Sequence, residues 1–280
     1  MTALSFAPRS NPTLRKDPPY ETLPQAIGME SKKFLEGKIA LITGVGRSAG
    51  IGAAICRKIA INGGDIFFAY WRQYDQETHG NCQNDPANIA AELKQLGVRV
   101  ESTEIDLSKP ASPEMLFNAV EDRLGTPAIL VNNACHDFEV PFVELSPEIL
   151  DKHYAVNVRA VVMLCREFVK RGNAGTIINM TSGQSLGSMG GHKVPYTITK
   201  AALEMLAPQL APDLIKLGIT IHAVDPGPTD TGWMTEELKT QIRRESKSGE
   251  VNTSDDIARL ILSILTQEKP STGEVLHAAR

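Results

Sequence analysis

The sequence predicts a doubly wound α/β fold around a seven-stranded parallel sheet, and three observations predict it. Short apolar runs alternate with segments of helical period from Lys38 to the C-terminus. The runs are apolar throughout, as in strands buried on both faces. The first run ends in a glycine-rich loop that opens the first helical segment.

Taken in order, KIALIT (38–43) reads as the first strand and GIGAAICRKIAING (50–63) as the first helix. DIFFAYW (65–71) is an apolar, aromatic strand, followed by an irregular polar stretch, 72–85, and a helix over 86–97. VRVESTEIDL (98–107) is the third strand. A helix over 112–125 opens on Ser112 with Pro113 at its first position, since proline lacks only an N–H that the first turn leaves unpaired. AILVNNA (128–134) is the fourth strand, and a long helix over 146–172 repeats the Ser-Pro start. TIINMTS (176–182), the helix 195–218 and ITIHAVDPG (219–227) continue the alternation. A helix over 254–265 with Ser254 as cap and a strand at 273–278 complete it. Residues 37–280 therefore read as one domain, and 229–251 as a lid over its mouth.

The 280 residues are 42% hydrophobic and 22% charged, enough for a sizeable core. A net charge of −4 offers no general attraction to nucleic acid or anionic membrane. The longest apolar run, 160–165, is far shorter than the ~20 residues of a membrane span. Cys56, Cys82, Cys135 and Cys165 lack paired spacing, which argues against zinc or a disulfide framework and for reduced thiols in a cytoplasmic protein. No metal is expected. Residues 1–36 stand apart: five prolines within the first 28 and little periodicity suggest an extended or disordered arm.

Gly44, Gly46, Gly50 and Gly52 lie where the first strand gives way to the first helix. Glycines allow a sharp turn and a close backbone approach. The start of the helix, at Ile51, then offers free N–H groups and a positive dipole end to a pyrophosphate. In a Rossmann-type domain this context marks a dinucleotide site. The second strand ends Ala69-Tyr70-Trp71-Arg72 with no carboxylate until Asp75, where NAD sites usually hold an acid on the ribose. Arg47 in the loop and Arg72 past the strand suit a 2′-phosphate. NADP(H) is therefore expected rather than NAD.

Tyr196 and Lys200 are spaced by one helical turn, so both side chains share a face. A phenol with an ordinary pKa of about 10 must fall by roughly 3, about 4 kcal/mol, to act as a base near neutrality. A neighbouring ammonium works in that direction. The pair is a candidate acid/base for a carbonyl or an alcohol.

With these residues in hand, the chain from about 37 to 280 resembles the short-chain dehydrogenase/reductase family, and within it the 3-oxoacyl-carrier-protein reductases. The family's motifs occur in order: the loop at 43–52, Asp106-Leu107, Asn132-Asn133-Ala134, Asn157, Ser182, Tyr196 with Lys200, and Asp225-Pro226-Gly227 followed by Thr229 and Thr231. The resemblance implies hydride transfer between NADP(H) and a carbonyl or secondary alcohol. It implies Tyr196 as general acid/base, Lys200 lowering the phenol's pKa and holding the ribose, Ser182 donating to the oxyanion, and Asn157 holding a water. It places the coenzyme on the loop residues, Trp71, Arg72, Asp106, Leu107, Asn133, Ala134, Tyr196, Lys200, Pro226, Gly227, Thr229 and Thr231. It implies a homo-oligomer, dimer or tetramer, through the helices at 146–172 and 195–218.

The chain also departs from the pattern. Five residues separate Gly44 from Gly50, and 14 positions separate Ser182 from Tyr196, both longer than usual, so Ser185 competes with Ser182. Cys135 stands where the Asn motif usually has Gly, and the terminal Gly-Gly is absent. Trp233 and Met234 could pack on substrate or anchor the lid, and Arg243, Arg244 and Lys247 read as a solvated face. Two further readings remain: an NAD-linked sugar or polyol dehydrogenase, and a dinucleotide-binding redox sensor without turnover.

Overall fold

A computed structural model describes residues 33–80, 84–172, 174–183, 191–232, 234–245, 249–267 and 271–278. The arm over 1–32, Cys82, Ser185, Trp233 and Lys247 lie outside them. Leu35, counted with the arm in the sequence, is buried, and its N–H bonds to the Asn62 carbonyl.

Seven strands form one parallel sheet: β1 (Ile39–Thr43), β2 (Asp65–Tyr70), β3 (Val100–Glu104), β4 (Ile129–Asn132), β5 (Gly175–Met180), β6 (Ile219–Asp225) and β9 (Val275–His277), in the order β3-β2-β1-β4-β5-β6-β9. Alternate residues of one strand feed opposite cores. Ala40 and Ile42 of β1, with Ile66 and Phe68 of β2, pack on the helices α1 (Ile51–Ile61), α3 (Asp85–Lys94) and α9 (Ser254–Leu265). Ile39 and Leu41, with Phe67 and Ala69, face α4 (Ser112–Arg123), α6 (Val161–Lys170) and α7 (Val194–Leu214). Burial on both faces is why the strands show no polar alternation.

Four details depart from the sequence expectation. The stretch after β2 is not wholly irregular: Arg72–His79 is a helix, α2. Its polar sequence lacks an apolar stripe, the signal by which a helix is read. The long helix is not uniform: α5 (Pro147–His153) passes through a π-helical segment, Tyr154–Ala160, before α6. Ser112 does not cap α4; it lies within the helix, and its hydroxyl donates to the Asp106 carbonyl at 2.6 Å. Thr253, not Ser254, caps α9, accepting from the Asp256 N–H while Asp256 accepts from the Thr253 N–H, a reciprocal box.

A two-stranded parallel pair, β7 (Thr229–Asp230) with β8 (Asn252–Thr253), closes the base of the segment expected to be a lid. That segment carries the helix α8 (Glu236–Glu245), tied back by Lys239 to Asp230 at 2.7 Å. No described helix is long and apolar enough to cross a membrane.

Candidate active site

The strand order reverses between β1 and β4, so their carboxyl ends diverge into a crevice. Thr43, at the end of β1, fastens the two strands there. Its hydroxyl accepts the N–H groups of Asn133 and Ala134, each at 3.1 Å. In return Asn133 Nδ2 donates to the carbonyls of Thr43 at 2.9 Å and Gly44 at 3.0 Å. Gly44 has φ +74°, and a Cβ there would stand 2.6 Å from Ala134 Cα. A Cβ at Gly52 would stand 2.8 Å from Asn133 Nδ2. These glycines bring the loop against β4.

The extra loop residues are held from four sides. The Ser48 N–H donates to Asp85 at the start of α3 at 2.8 Å, and its carbonyl accepts from Arg57 at 2.8 Å. The Ala49 carbonyl accepts from Ser254 at 2.8 Å. Arg47 reaches the carbonyl and hydroxyl of Thr231, both at 3.3 Å. Gly50 begins α1 in extended conformation with no side-chain cap. The first turn of α1, at Ile51 and Gly52, therefore starts without a side-chain cap, and uncapped N–H groups at a helix start are the donor set a pyrophosphate needs. The residues present thus fit a dinucleotide.

At the end of β2, where the sequence led one to expect a free arginine for a 2′-phosphate, there is more ion pairing than anticipated. Arg72 is engaged by Glu104 of β3, Nε to Oε2 at 2.8 Å, and lies over the Tyr70 ring. Trp71 precedes α2 in extended conformation. Asp106 accepts the Ser108 N–H at 2.8 Å, shaping the turn that buries Leu107.

Across the crevice, α7 presents Tyr196. Lys200 Nζ lies 5.7 Å from its ring centre and donates to the Met180 carbonyl at 2.8 Å. Burial pushes the Tyr196 phenol well above its usual pKa; neighbouring Cys135 and Asp137 add to this, and a hydrogen bond with Ser182 opposes it. Burial pushes the Lys200 ammonium down. The lowering of the phenol that the sequence led one to expect from Lys200 is thus outweighed by desolvation in the protein alone.

Asn157, in the π-helical segment and fully buried, joins the β4–α5 loop to α7. Its Oδ1 accepts the His136 N–H at 2.7 Å, and its Nδ2 donates to the His136 carbonyl at 2.9 Å and to Thr199 Oγ1 at 3.0 Å. Beyond β6, buried Asp225 accepts the N–H groups of Gly183 at 2.7 Å and Gly227 at 2.9 Å, and its other oxygen meets His277 Nδ1 at 2.8 Å. Thr229 donates back to the Pro226 or Gly227 carbonyl, each at 3.1 Å.

Several groups here escaped sequence reasoning. Tyr74 of α2 accepts the Asp137 N–H at 3.1 Å and packs on His136. Burial lowers the His136 pKa to about 4, so the ring is neutral. Lys193 lies three residues before Tyr196, a spacing that could have signalled a shared face.

The model of the short chain dehydrogenase family matches residues 38–242. The chain belongs to the short-chain dehydrogenase/reductase family. It is 40% identical over 250 residues to the oxidoreductase YjdA of Bacillus subtilis, covering 86% of this chain and 95% of that one. It is 32% identical to an NADPH-dependent aldehyde reductase-like protein of Arabidopsis thaliana, over 81% of this chain and 87% of the relative. A short chain dehydrogenase of Burkholderia cenocepacia, solved in complex with NADP, superposes with a TM-score of 0.78 at 29% identity, covering 88% of this chain and 97% of that one. As a short-chain dehydrogenase/reductase the chain is an oxidoreductase of a family that binds nicotinamide dinucleotides.

Proposed function

We propose that this short-chain dehydrogenase/reductase reduces a small-molecule ketone or aldehyde with NADPH. The observation that carries the reading is Tyr196 hydrogen-bonded to Ser182 with the Lys200 ammonium 5.7 Å from its ring, in a fold whose glycine loop opens α1 without a side-chain cap. NADPH, when bound, supplies a hydride to the carbonyl carbon. Tyr196 gives its hydroxyl proton to the carbonyl oxygen as charge develops there. Ser182 donates to the same oxygen, a contact worth about 3 kcal/mol when preorganised. Lys200 restores the proton to Tyr196, and Asn157 holds a water between Lys200 and solvent. The products are an alcohol and the oxidised coenzyme.

Burial keeps Tyr196 protonated in the protein alone, the state in which it can donate a proton to a carbonyl oxygen. NADPH is favoured over NADH by Arg47, whose hydrogen bonds go to neutral oxygens of Thr231 and are exchangeable for a phosphate. The NADPH-dependent relative and the NADP complex support the same choice. The coenzyme would rest on Gly44, Gly46, Gly50, Ile51 and Gly52, with Asp106, Leu107, Asn133, Ala134, Pro226, Gly227, Thr229 and Thr231 around it. We place the protein in the cytoplasm, a reading supported by the unpaired thiols of Cys56, Cys135 and Cys165. Half-exposed Tyr154, Val162, Ile198 and Met205, on the two helices expected to associate, support a homo-oligomer.

The test is a panel of carbonyls and alcohols followed by nicotinamide absorbance with both coenzymes. Tyr196→Phe should lower turnover by about 100-fold or more, the usual contribution of a positioned acid. Full turnover in that variant would sink the reading.

A further inference from the structure

A second ammonium stands beside Tyr196. Lys193 Nζ lies 5.8 Å from the ring centre, nearly the distance of Lys200. Unlike Lys200, it is bound by carboxylates from the facing β4–α5 loop: Asp137 at 2.6 Å and Glu139 at 2.8 Å. The backbones meet at the same place, the Val140 N–H donating to the His192 carbonyl at 3.1 Å. Lys193 is mostly buried and Glu139 mostly exposed. The second oxygen of Asp137 is buried and makes no hydrogen bond among the described residues.

We propose that Asp137, Glu139 and Lys193 form an ionic clasp that sets the proton affinity of Tyr196, with Asp137 and Lys193 as positioning residues for proton transfer. The proposal rests on the reading of Tyr196 as general acid. The clasp carries two negative charges and one positive, so its net field holds the phenol's proton. Asp137 of the clasp faces Tyr196 directly; the other groups facing it among the described residues are Lys200 on its own helix, Cys135 on the β4–α5 loop, Tyr74 on α2, and Ser182 after β5. His136, packed on Tyr74, is neutral above about pH 4 and adds no charge at neutrality. Against that background a substitution in the clasp changes the field while leaving Tyr196, Lys200 and Ser182 themselves unaltered. Tyr74, bonded to the Asp137 N–H, holds the loop in register with Lys193.

The clasp predicts opposite signs for its two halves. Lys193→Gln leaves Asp137, which faces the phenol, and Glu139 beyond it without their counter-charge, so Tyr196 holds its proton more tightly. Asp137→Asn leaves Lys193 less neutralised, so Tyr196 releases its proton more easily. The readout is the pH dependence of kcat for alcohol oxidation with NADP+, on the most active alcohol of the panel, where the rate rises as Tyr196 ionises. The rising limb should move to higher pH in Lys193→Gln and to lower pH in Asp137→Asn, each by the order of one pH unit, as expected for one screened charge at about 6 Å. Lys193→Arg should leave the limb within about 0.3 of the parent, since the charge is kept. The double variant Lys193→Gln/Asp137→Asn should fall between the two singles.

Shifts of the same sign, or lower rates with unmoved limbs, would overturn the clasp and assign these residues a structural role. In that event a dead Tyr196→Phe leaves the reading of Tyr196 standing. An active Tyr196→Phe overturns that reading and the clasp with it.

Discussion

Asp75 sets its carboxylate directly against Gly46: a Cβ added at Gly46 would lie 1.7 Å from Asp75 Oδ2. The contact joins α2 to the glycine loop on which we propose the coenzyme rests. Burial raises the Asp75 pKa to about 6, with Arg47 lowering it and Asp85 raising it.

That shift fixes the sign of a stability prediction. A carboxyl whose folded pKa lies above its unfolded value favours the folded state least once it is ionised in both. Stability is therefore lost as pH rises from about 4 to about 6. Asp75→Asn removes the loss and should gain about 1–2 kcal/mol at pH 7, after discounting for solvent screening. Thermal melts should show a gain of several degrees at pH 7 that disappears at pH 4. An equal gain at both values would mean that ionisation is not its source.

The proposed preference for NADPH turns on Arg47. Arg72 is already paired with Glu104, whereas the hydrogen bonds of Arg47 go to the neutral Thr231 oxygens and the Asp75 carboxylate acts on it only through space. Arg47→Ala should raise the KM for NADPH by about tenfold, the loss of roughly 1.4 kcal/mol from a charge-assisted contact. The KM for NADH should change by less than about threefold, within the scatter of a distal substitution. Equal effects on both coenzymes would assign Arg47 to the shape of the loop rather than to a 2′-phosphate.

The sheet was legible because burial on both faces leaves a one-signal pattern: Ile39–Thr43 and Asp65–Tyr70 are apolar whichever way they point. The Gly44–Gly52 loop and the Tyr196–Lys200 pair were legible because spacing along one element determines their geometry. Helix α2 was not, because Arg72–His79 carries no apolar stripe and is held by Tyr74 reaching Asp137 and Arg72 reaching Glu104. The Asp137–Lys193 pair spans 56 positions; the spacing of Lys193 from Tyr196 marks one member, but nothing local marks Asp137 as its partner. Burial likewise has no linear signature, so the upward push on Tyr196 appears only once Cys135 and Asp137 are seen around it.

Gly44 separates conformational strain from contact. Gly44 and Gly97 have φ of +74° and +82°, yet a Cβ at Gly97 meets nothing within 4 Å, whereas one at Gly44 would strike the Ala134 backbone. Gly97→Ala should cost only the left-handed strain, about 1–2 kcal/mol. Gly44→Ala adds a backbone displacement and should cost about 3 kcal/mol or more, near 6 °C or more in Tm for a domain of this size. Circular-dichroism melts of the two variants decide it; equal losses would show that β4 yields freely to the loop.

Asp225 is the joint between the two loops that flank Tyr196. Its carboxylate is fully buried and accepts from Gly183, next to Ser182, and from Gly227, while His277 of β9 meets its second oxygen. Asp225→Asn keeps the shape but replaces one acceptor oxygen with an NH2 donor. The oxygen can keep both backbone N–H groups only if the NH2 faces His277, whose Nδ1 must then take the accepting tautomer; the charge-assisted bonds are lost, a cost of about 1–2 kcal/mol. If the joint also aims Ser182, kcat should fall by about tenfold with little change in coenzyme KM, since the oxyanion contact is felt only in the transition state. His277→Phe removes the neighbour but leaves both backbone bonds, so its stability should fall while kcat stays within about threefold of the parent. Steady-state kinetics with thermal melts on both variants separate the two effects. A stability loss in Asp225→Asn with kcat unchanged would confine Asp225 to holding the fold.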